Sequence, residues 1–247
     1  MSHAIPSRKG AYGVDAPNVL MVLGLVTVLY AAIALALWDL RPLIGAAVMA
    51  AVGALWLHAS LRGKFVAWGD QLAGLHLRGD ERILDLGCGR GAVLLLAAGH
   101  LTTGRAVGVD IWRKADQSGN SPAAAARNAA AEGVSDRVAL VTADMRSLPF
   151  DEAGFDVVVS SLALHNIRDL DGRRQALAEA VRVLKAGGRL LIVDIWGTSR
   201  YPSELADLGM TGIGRHGLGW RLWWGGPWAP TFLVSATKPM PAQGQGA

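Results

Sequence analysis

The segment Asn18–Leu37 reads NVLMVLGLVTVLYAAIALAL, twenty residues without a charge. A helix needs about 20 apolar residues to cross the ~30 Å hydrocarbon core of a bilayer. A second apolar run, Leu43–Ser60, follows after only Trp38, Asp39, Leu40, Arg41 and Pro42. Neither run has a polar face, which argues against a buried helical pair in a water-borne domain. A cleaved signal peptide would carry one apolar stretch, not two. The chain is therefore expected to open with a two-helix transmembrane hairpin over residues 18–62, after a cytoplasmic segment 1–17. Pro42 suits the first turn of the second helix. Gly45, Gly53 and the alanines between them allow close approach of two helices in lipid. Trp38 and Trp56 stand near the ends of the runs, where interfacial tryptophans belong. Arg8 and Lys9 precede the first run and Arg62 and Lys64 follow the second, whereas Asp39 and Arg41 cancel in the link. The positive-inside rule then places both ends in the cytoplasm.

Composition fits this division. Of 247 residues 51% are hydrophobic, and mean hydropathy is +0.30, an excess concentrated in the first sixty positions. The net charge of +4 suits an anionic membrane surface or an anionic ligand. Lys and Arg never run five together, and no zinc-finger or aromatic RNA-binding spacing occurs, so nucleic acid is not an expected partner. The single cysteine, Cys88, excludes an intrachain disulfide and favours a reducing compartment. No Cys/His cluster has metal-ligand spacing, and no metal is expected.

From Phe65 onward the pattern alternates. Ile83–Leu86, Arg105–Asp110, Arg137–Thr142, Phe155–Ser160 and Arg189–Asp194 read as strands. Ala92–Ala98, Ser121–Ala131, Gly172–Leu184 and Ser203–Leu208 read as helices, the second with Ser121 as cap and Pro122 in its first turn. Strand and helix at this spacing predict an α/β, doubly wound, mostly parallel sheet. Thr211–Trp223 and Thr231–Thr237 then follow without a helix between them, as a terminal β-hairpin joined by Gly225, Gly226 and Pro227. The domain is expected over 63–240, with a flexible tail at 241–247.

Asp85-Leu86-Gly87-Cys88-Gly89-Arg90-Gly91 combines a tight glycine turn with a following helix whose N-terminal amides can face a ligand. Gly87, Gly89 and Ala92 also satisfy the relaxed dinucleotide fingerprint, with Asp110 where a ribose-binding acid would stand. The order of motifs narrows this. DLGCGRG resembles motif I of the class I S-adenosylmethionine-dependent methyltransferases, and GVD ending at Asp110 resembles their second motif. Ala143-Asp144-Met145 with Leu148-Pro149-Phe150 resembles the third. FDVVVSSLALHNI and RVLKAGGRLLIVD are similar to the fourth strand with its loop and to the helix, turn and fifth strand. The resemblance covers about Leu75 to Pro239 and implies a seven-stranded Rossmann-like methyltransferase fold. It implies S-adenosylmethionine as cofactor, bound by Asp85, Gly87, Cys88, Gly89, Gly91, Asp110, Ile111, Asp144, Met145 and Ser160. Within it, the second acid binds the ribose hydroxyls and the third contacts the adenine amino group.

The residues give a parallel reading. Asp85 can take an amino group, directly or through water, and Asp110 points into the crevice at the strand ends. Asp85 and Asp144 would otherwise serve as a turn cap and an Asx-turn. His165, after the fourth strand, is the candidate general base; the alternative is a structural or substrate-shaping residue. The polar connection Trp112–Asn120 borders the ligand or is a solvated loop. Trp220, Trp223, Trp224 and Trp228 read as an interfacial belt, a substrate pocket or sheet packing. The expected acceptor is small and lipophilic, brought to the site by the membrane hairpin. Two other functions remain open: an NAD(P)-linked oxidoreductase, although Tyr12, Tyr30 and Tyr201 lack a lysine four residues on, and a non-catalytic ligand-binding membrane protein.

Overall fold

The computed structural model describes residues 8–113 and 115–241; the first seven residues and 242–247 of the expected tail lie outside the described residues. Two apolar helices come first, α1 (Pro17–Leu37) and α2 (Pro42–His58), each with proline in its first turn. Trp38, in the left-handed region at φ 50°, ends α1, and the Asp39 side chain accepts from the Arg41 amide at 3.0 Å to shape the link. The two helices pack along each other, but most of their large apolar side chains, among them Met21, Leu25, Val28, Leu35 and Ile44, remain exposed.

No linker separates the hairpin from the rest. A π-helical turn (Ala59–Gly63) carries α2 straight into α3 (Lys64–Gly74), so the expected boundary at residue 62 falls inside one helical stretch of 33 residues. The domain then alternates: β1 (Arg82–Leu86), α4 (Ala92–Gly99), β2 (Arg105–Asp110), α5 (Pro122–Glu132), β3 (Val138–Thr142), β4 (Phe155–Ser161), α6 (Leu170–Val183), β5 (Leu184–Asp194), α7 (Tyr201–Asp207), β6 (Thr211–Gly217) and β7 (Phe232–Thr237). Local chemistry sets these ends. Ser121 accepts from the Ala124 amide at the start of α5, and Asp169 from the Gly172 amide at the start of α6.

The seven strands lie in the order β3-β2-β1-β4-β5-β7-β6. β1 to β5 are parallel, and β7 runs antiparallel between β5 and β6. The central strands are apolar on both faces because helices cover both. Trp68, Leu72, Leu94 and Val159 fill one side under α3 and α4, and Phe155, Leu177, Leu190 and Tyr201 fill the other under α6 and α7.

The terminal pair differs from expectation. The strand read as Thr211–Trp223 stops at Gly217, and fourteen residues, 218–231, connect it to β7. Gly219 at φ 72° turns the chain into a short helical turn, Trp220–Leu222, and Leu222 and Trp224 are buried. They join the core beneath α2 and α3 instead of extending the sheet. β5 also begins earlier than read, at Leu184, with an irregularity in its pairing to β4.

Candidate active site

Register brings the strand ends together. Leu86 pairs with Val109 and with Ser160, and Ser161 with Val193, so the segments after β1, β2, β4 and β5 meet along one edge of the sheet.

The turn after β1 has Gly87, Gly89 and Gly91 at φ 75°, 51° and 86°. Side chains rarely adopt such angles, and at Gly87 an added Cβ would also overlap Ala163 in the loop after β4. The amides of Gly87 and Cys88 donate to the Val109 carbonyl at 2.8 and 3.1 Å, tying the turn to β2. Asp110 accepts the Gly89 amide at 2.8 Å on one oxygen and the Trp112 amide at 2.5 Å on the other, with Asn120 Nδ2 at 3.4 Å. Its remaining lone pairs are what a ribose would meet.

Asp85 is 1% exposed, and neither carboxylate oxygen has a hydrogen-bond partner among the described residues. Burial, with a smaller contribution from the charge of Asp110, pushes this carboxyl up to about 7. A buried acceptor without a donor is costly. Asn120 Oδ1, beside Asp110, is likewise buried and without a partner. Together they are a demand for donors of the kind an ammonium and sugar hydroxyls carry, which fits the cofactor implied by the motif order.

Asp144 is gripped by Arg146 Nε and Nη2, the shortest contact being 2.6 Å, and the guanidinium holds its carboxyl below the ordinary range. Met145 lies over Gly87, and Ile111 is exposed after β2. Cys88 is buried with its sulfur against Gly108, and burial raises its thiol well above the usual value. Ser160 is fully buried and donates to the Leu86 carbonyl at 2.9 Å.

His165 follows β4 in a short helical turn. Its Nδ1 lies 2.5 Å from Asp194 Oδ1, and its amide donates to Asp194 Oδ2 at 3.0 Å. Asp194, fully buried at the end of β5, also accepts the Ile195 amide at 2.8 Å. A carboxylate on Nδ1 fixes the tautomer that leaves Nε2 unprotonated. Trp196 meets the imidazole edge-on at 5.6 Å, and Arg173 donates to the His165 carbonyl at 3.1 Å. Asp194 and Asn120 went unread as site residues. Asp194 carried a usable signal, because an acid ending a fifth strand shares the edge where the other acids stand.

The hairpin reaches the same edge. β7 starts opposite the end of β5, Phe232 against Asp194, and β6 ends opposite Phe232, so the 218–231 connection hangs from the edge that carries His165. That connection packs on the base of α2: Trp224 against Trp56 at 5.1 Å, Trp220 stacked on His58 at 4.9 Å, and Arg221 so close to Gly63 that a Cβ there would overlap its carbonyl.

Residues 84–192 match the model of the methyltransferase domain family. The chain is 38% identical over 128 residues to 27-O-demethylrifamycin SV methyltransferase of Amycolatopsis mediterranei, covering 51% of this chain and 43% of that protein. It is 30% identical over 124 residues to demethylmenaquinone methyltransferase of Bacteroides fragilis, covering 50% and 47%. The chain thus spans less than half the length of these curated relatives. Among solved structures, the YcgJ protein of Bacillus subtilis superposes with a TM-score of 0.56 at 19% identity, over 71% of this chain and 99% of that one, and shows the fold.

Proposed function

Because the chain belongs, through residues 84–192, to the class I S-adenosylmethionine-dependent methyltransferases, we propose that it is a membrane-anchored enzyme that methylates a small lipophilic acceptor. S-adenosylmethionine, when bound, supplies a methyl group on a positively charged sulfur. Asp85 and Asn120 offer the unpartnered buried acceptors that its amino and hydroxyl groups would satisfy. Asp110 orders the glycine turn through the Gly89 amide. Asp144 and Met145 border the adenine side, and Ile111 lines the approach.

His165 would take the proton from the acceptor's nucleophile at Nε2, with Asp194 holding the ring and stabilising the imidazolium. Trp196, 60% exposed beside the imidazole, offers an apolar face to the acceptor.

The observation that carries the lipophilic reading is that the hairpin's base packs on the connection hanging from the active-site edge. Exposed apolar surface of the extent seen on α1 and α2 favours lipid over water. Exposed Trp220 and Trp228 suit the lipid–water boundary at that edge. One charge in the orientation argument changes: Lys64 is buried against Asp15 at 2.6 Å, leaving Arg8, Lys9 and Arg62 as the basic residues flanking the hairpin. The relatives named above act, by their names, on 27-O-demethylrifamycin SV and on demethylmenaquinone.

The test is labelling. The full chain in lipid nanodiscs, given methyl-labelled S-adenosylmethionine, should label a demethylated quinone or a sterol held in the bilayer. Label appearing only on water-borne acceptors, at a rate indifferent to lipid, would overturn the reading.

A further inference from the structure

The segment before α1 does not run away from the domain. It crosses the glycine turn's supports. The Val14 amide donates to Ser118 Oγ at 3.0 Å, Ser118 returns its amide to the Val14 carbonyl at 3.2 Å, and Ala16 donates to the Asp116 carbonyl at 3.2 Å. Asp15 is the centre of this crossing. Its Oδ2 accepts from Ser60 Oγ at 2.8 Å and from Lys64 Nζ at 2.6 Å, and its carbonyl accepts from Trp56 Nε1 at 3.0 Å. Those three residues lie at the far end of α2 and beyond it, so Asp15 joins the hairpin's two feet.

Its other oxygen, Oδ1, accepts from Gln117 Nε2 at 3.1 Å, and Gln117 Oε1 in turn accepts the Arg90 amide at 2.9 Å. Arg90 stands between Gly89 and Gly91. Its carbonyl is held from the other side by Asn128 Nδ2 at 2.9 Å, and the same Asn128 exchanges hydrogen bonds with the backbone of Ala11 at 2.9 and 3.2 Å. Both backbone groups of the turn's central residue are thus gripped by side chains that the N-terminal segment itself holds.

This arrangement has a physical consequence. A turn with glycines on either side of Arg90 is loose alone, and ordering it at binding costs affinity. Gln117 is 8% exposed and Ser60 and Lys64 less, so water competes little for these bonds. We infer that Asp15 and Gln117 are positioning residues that relay the pairing of the membrane hairpin into the order of the glycine turn, so that cofactor affinity depends on the hairpin being paired. The inference rests on the cofactor site proposed above. By linkage, cofactor binding strengthens the joined hairpin feet to the same degree.

An exchange of partners tests it. In Gln117→Glu the side chain still accepts from Arg90 but faces Asp15 as a second carboxylate; in Asp15→Asn plus Gln117→Glu an amide again faces a carboxylate. The full chain in nanodiscs is titrated calorimetrically with S-adenosylhomocysteine, and amide hydrogen exchange is followed at Gly89–Gly91. Gln117→Glu should weaken binding about tenfold and speed exchange in the turn, and the double variant should recover to within about threefold. Wild-type affinity in Gln117→Glu, or a double variant no better than the single, overturns the relay while leaving the site intact. Wild-type chain that binds no S-adenosylhomocysteine overturns the site reading and the relay with it. A variant with lower thermal stability is judged by comparing the turn with β1: general loosening speeds exchange in β1, whereas loss of the relay speeds the turn and spares β1.

Discussion

Asp194 holds His165 twice, by the ring at Nδ1 and by the backbone amide. Asp194→Asn removes the charge that stabilises the imidazolium and turns an NH2 group toward the backbone amide of either His165 or Ile195, so the ring is no longer held as it was. The turnover number should fall by about 10²–10⁴-fold with little change in calorimetric affinity for S-adenosylhomocysteine. His165→Ala should fall as far, and the two changes together no further than either alone. Full activity in Asp194→Asn would remove the base from the mechanism.

Asp85 ties stability to pH. Its carboxyl stands at about 7 in the folded chain against 3.8 ordinarily, so the folded state binds the proton more tightly than the unfolded one. Stability from this group is full below about 4 and is lost as pH rises through about 7. Thermal midpoints of the ligand-free chain should fall across that window, and Asp85→Asn should flatten the fall. Ligand binding at pH 6 should release protons, measured as a buffer-dependent heat, and the asparagine variant should release fewer.

Gly63 meets the Arg221 carbonyl with no room for a methyl group. Gly63→Ala should therefore cost about 1–3 kcal/mol, read from unfolding in detergent, as α2 and the 218–231 connection are pushed apart. An unchanged midpoint would mean that the two segments are not pressed together.

Trp220 and Trp228 are 54% and 71% exposed next to the hairpin's base. Replacing both with alanine should lower the rate on bilayer-held acceptors several-fold and spare the affinity for S-adenosylhomocysteine. Equal loss on water-borne and bilayer-held acceptors would assign these rings to packing.

Local patterns made much of this readable beforehand. The glycine turn, the acids at successive strand ends and the capped helix at Ser121 each depend on neighbours a few positions away, and apolar runs betray strands covered on both faces. What escaped is non-local or irregular. Asp15 and Gln117 are 102 positions apart, and no period or spacing announces that they touch. Arg146 grips Asp144, an engagement that a motif reading of the acid alone leaves out. The tryptophan-rich segment after β6 has the composition of a strand, but Gly219 and the pull of Leu222 and Trp224 toward the core bend it away. Asp194 lay in plain view at the end of a strand; the geometry shows that its partner is the candidate base.

The unbroken helical passage from α2 through Ala59–Gly63 into α3 runs straight into the core of the domain, where Phe65, Trp68 and Leu72 are buried. With α2 fixed in lipid as proposed, a joint without a linker would set the catalytic crevice at one height against the membrane. The enzyme would then select among acceptors by the depth at which they carry their reactive atom, like a ruler, before any side chain inspects their chemistry.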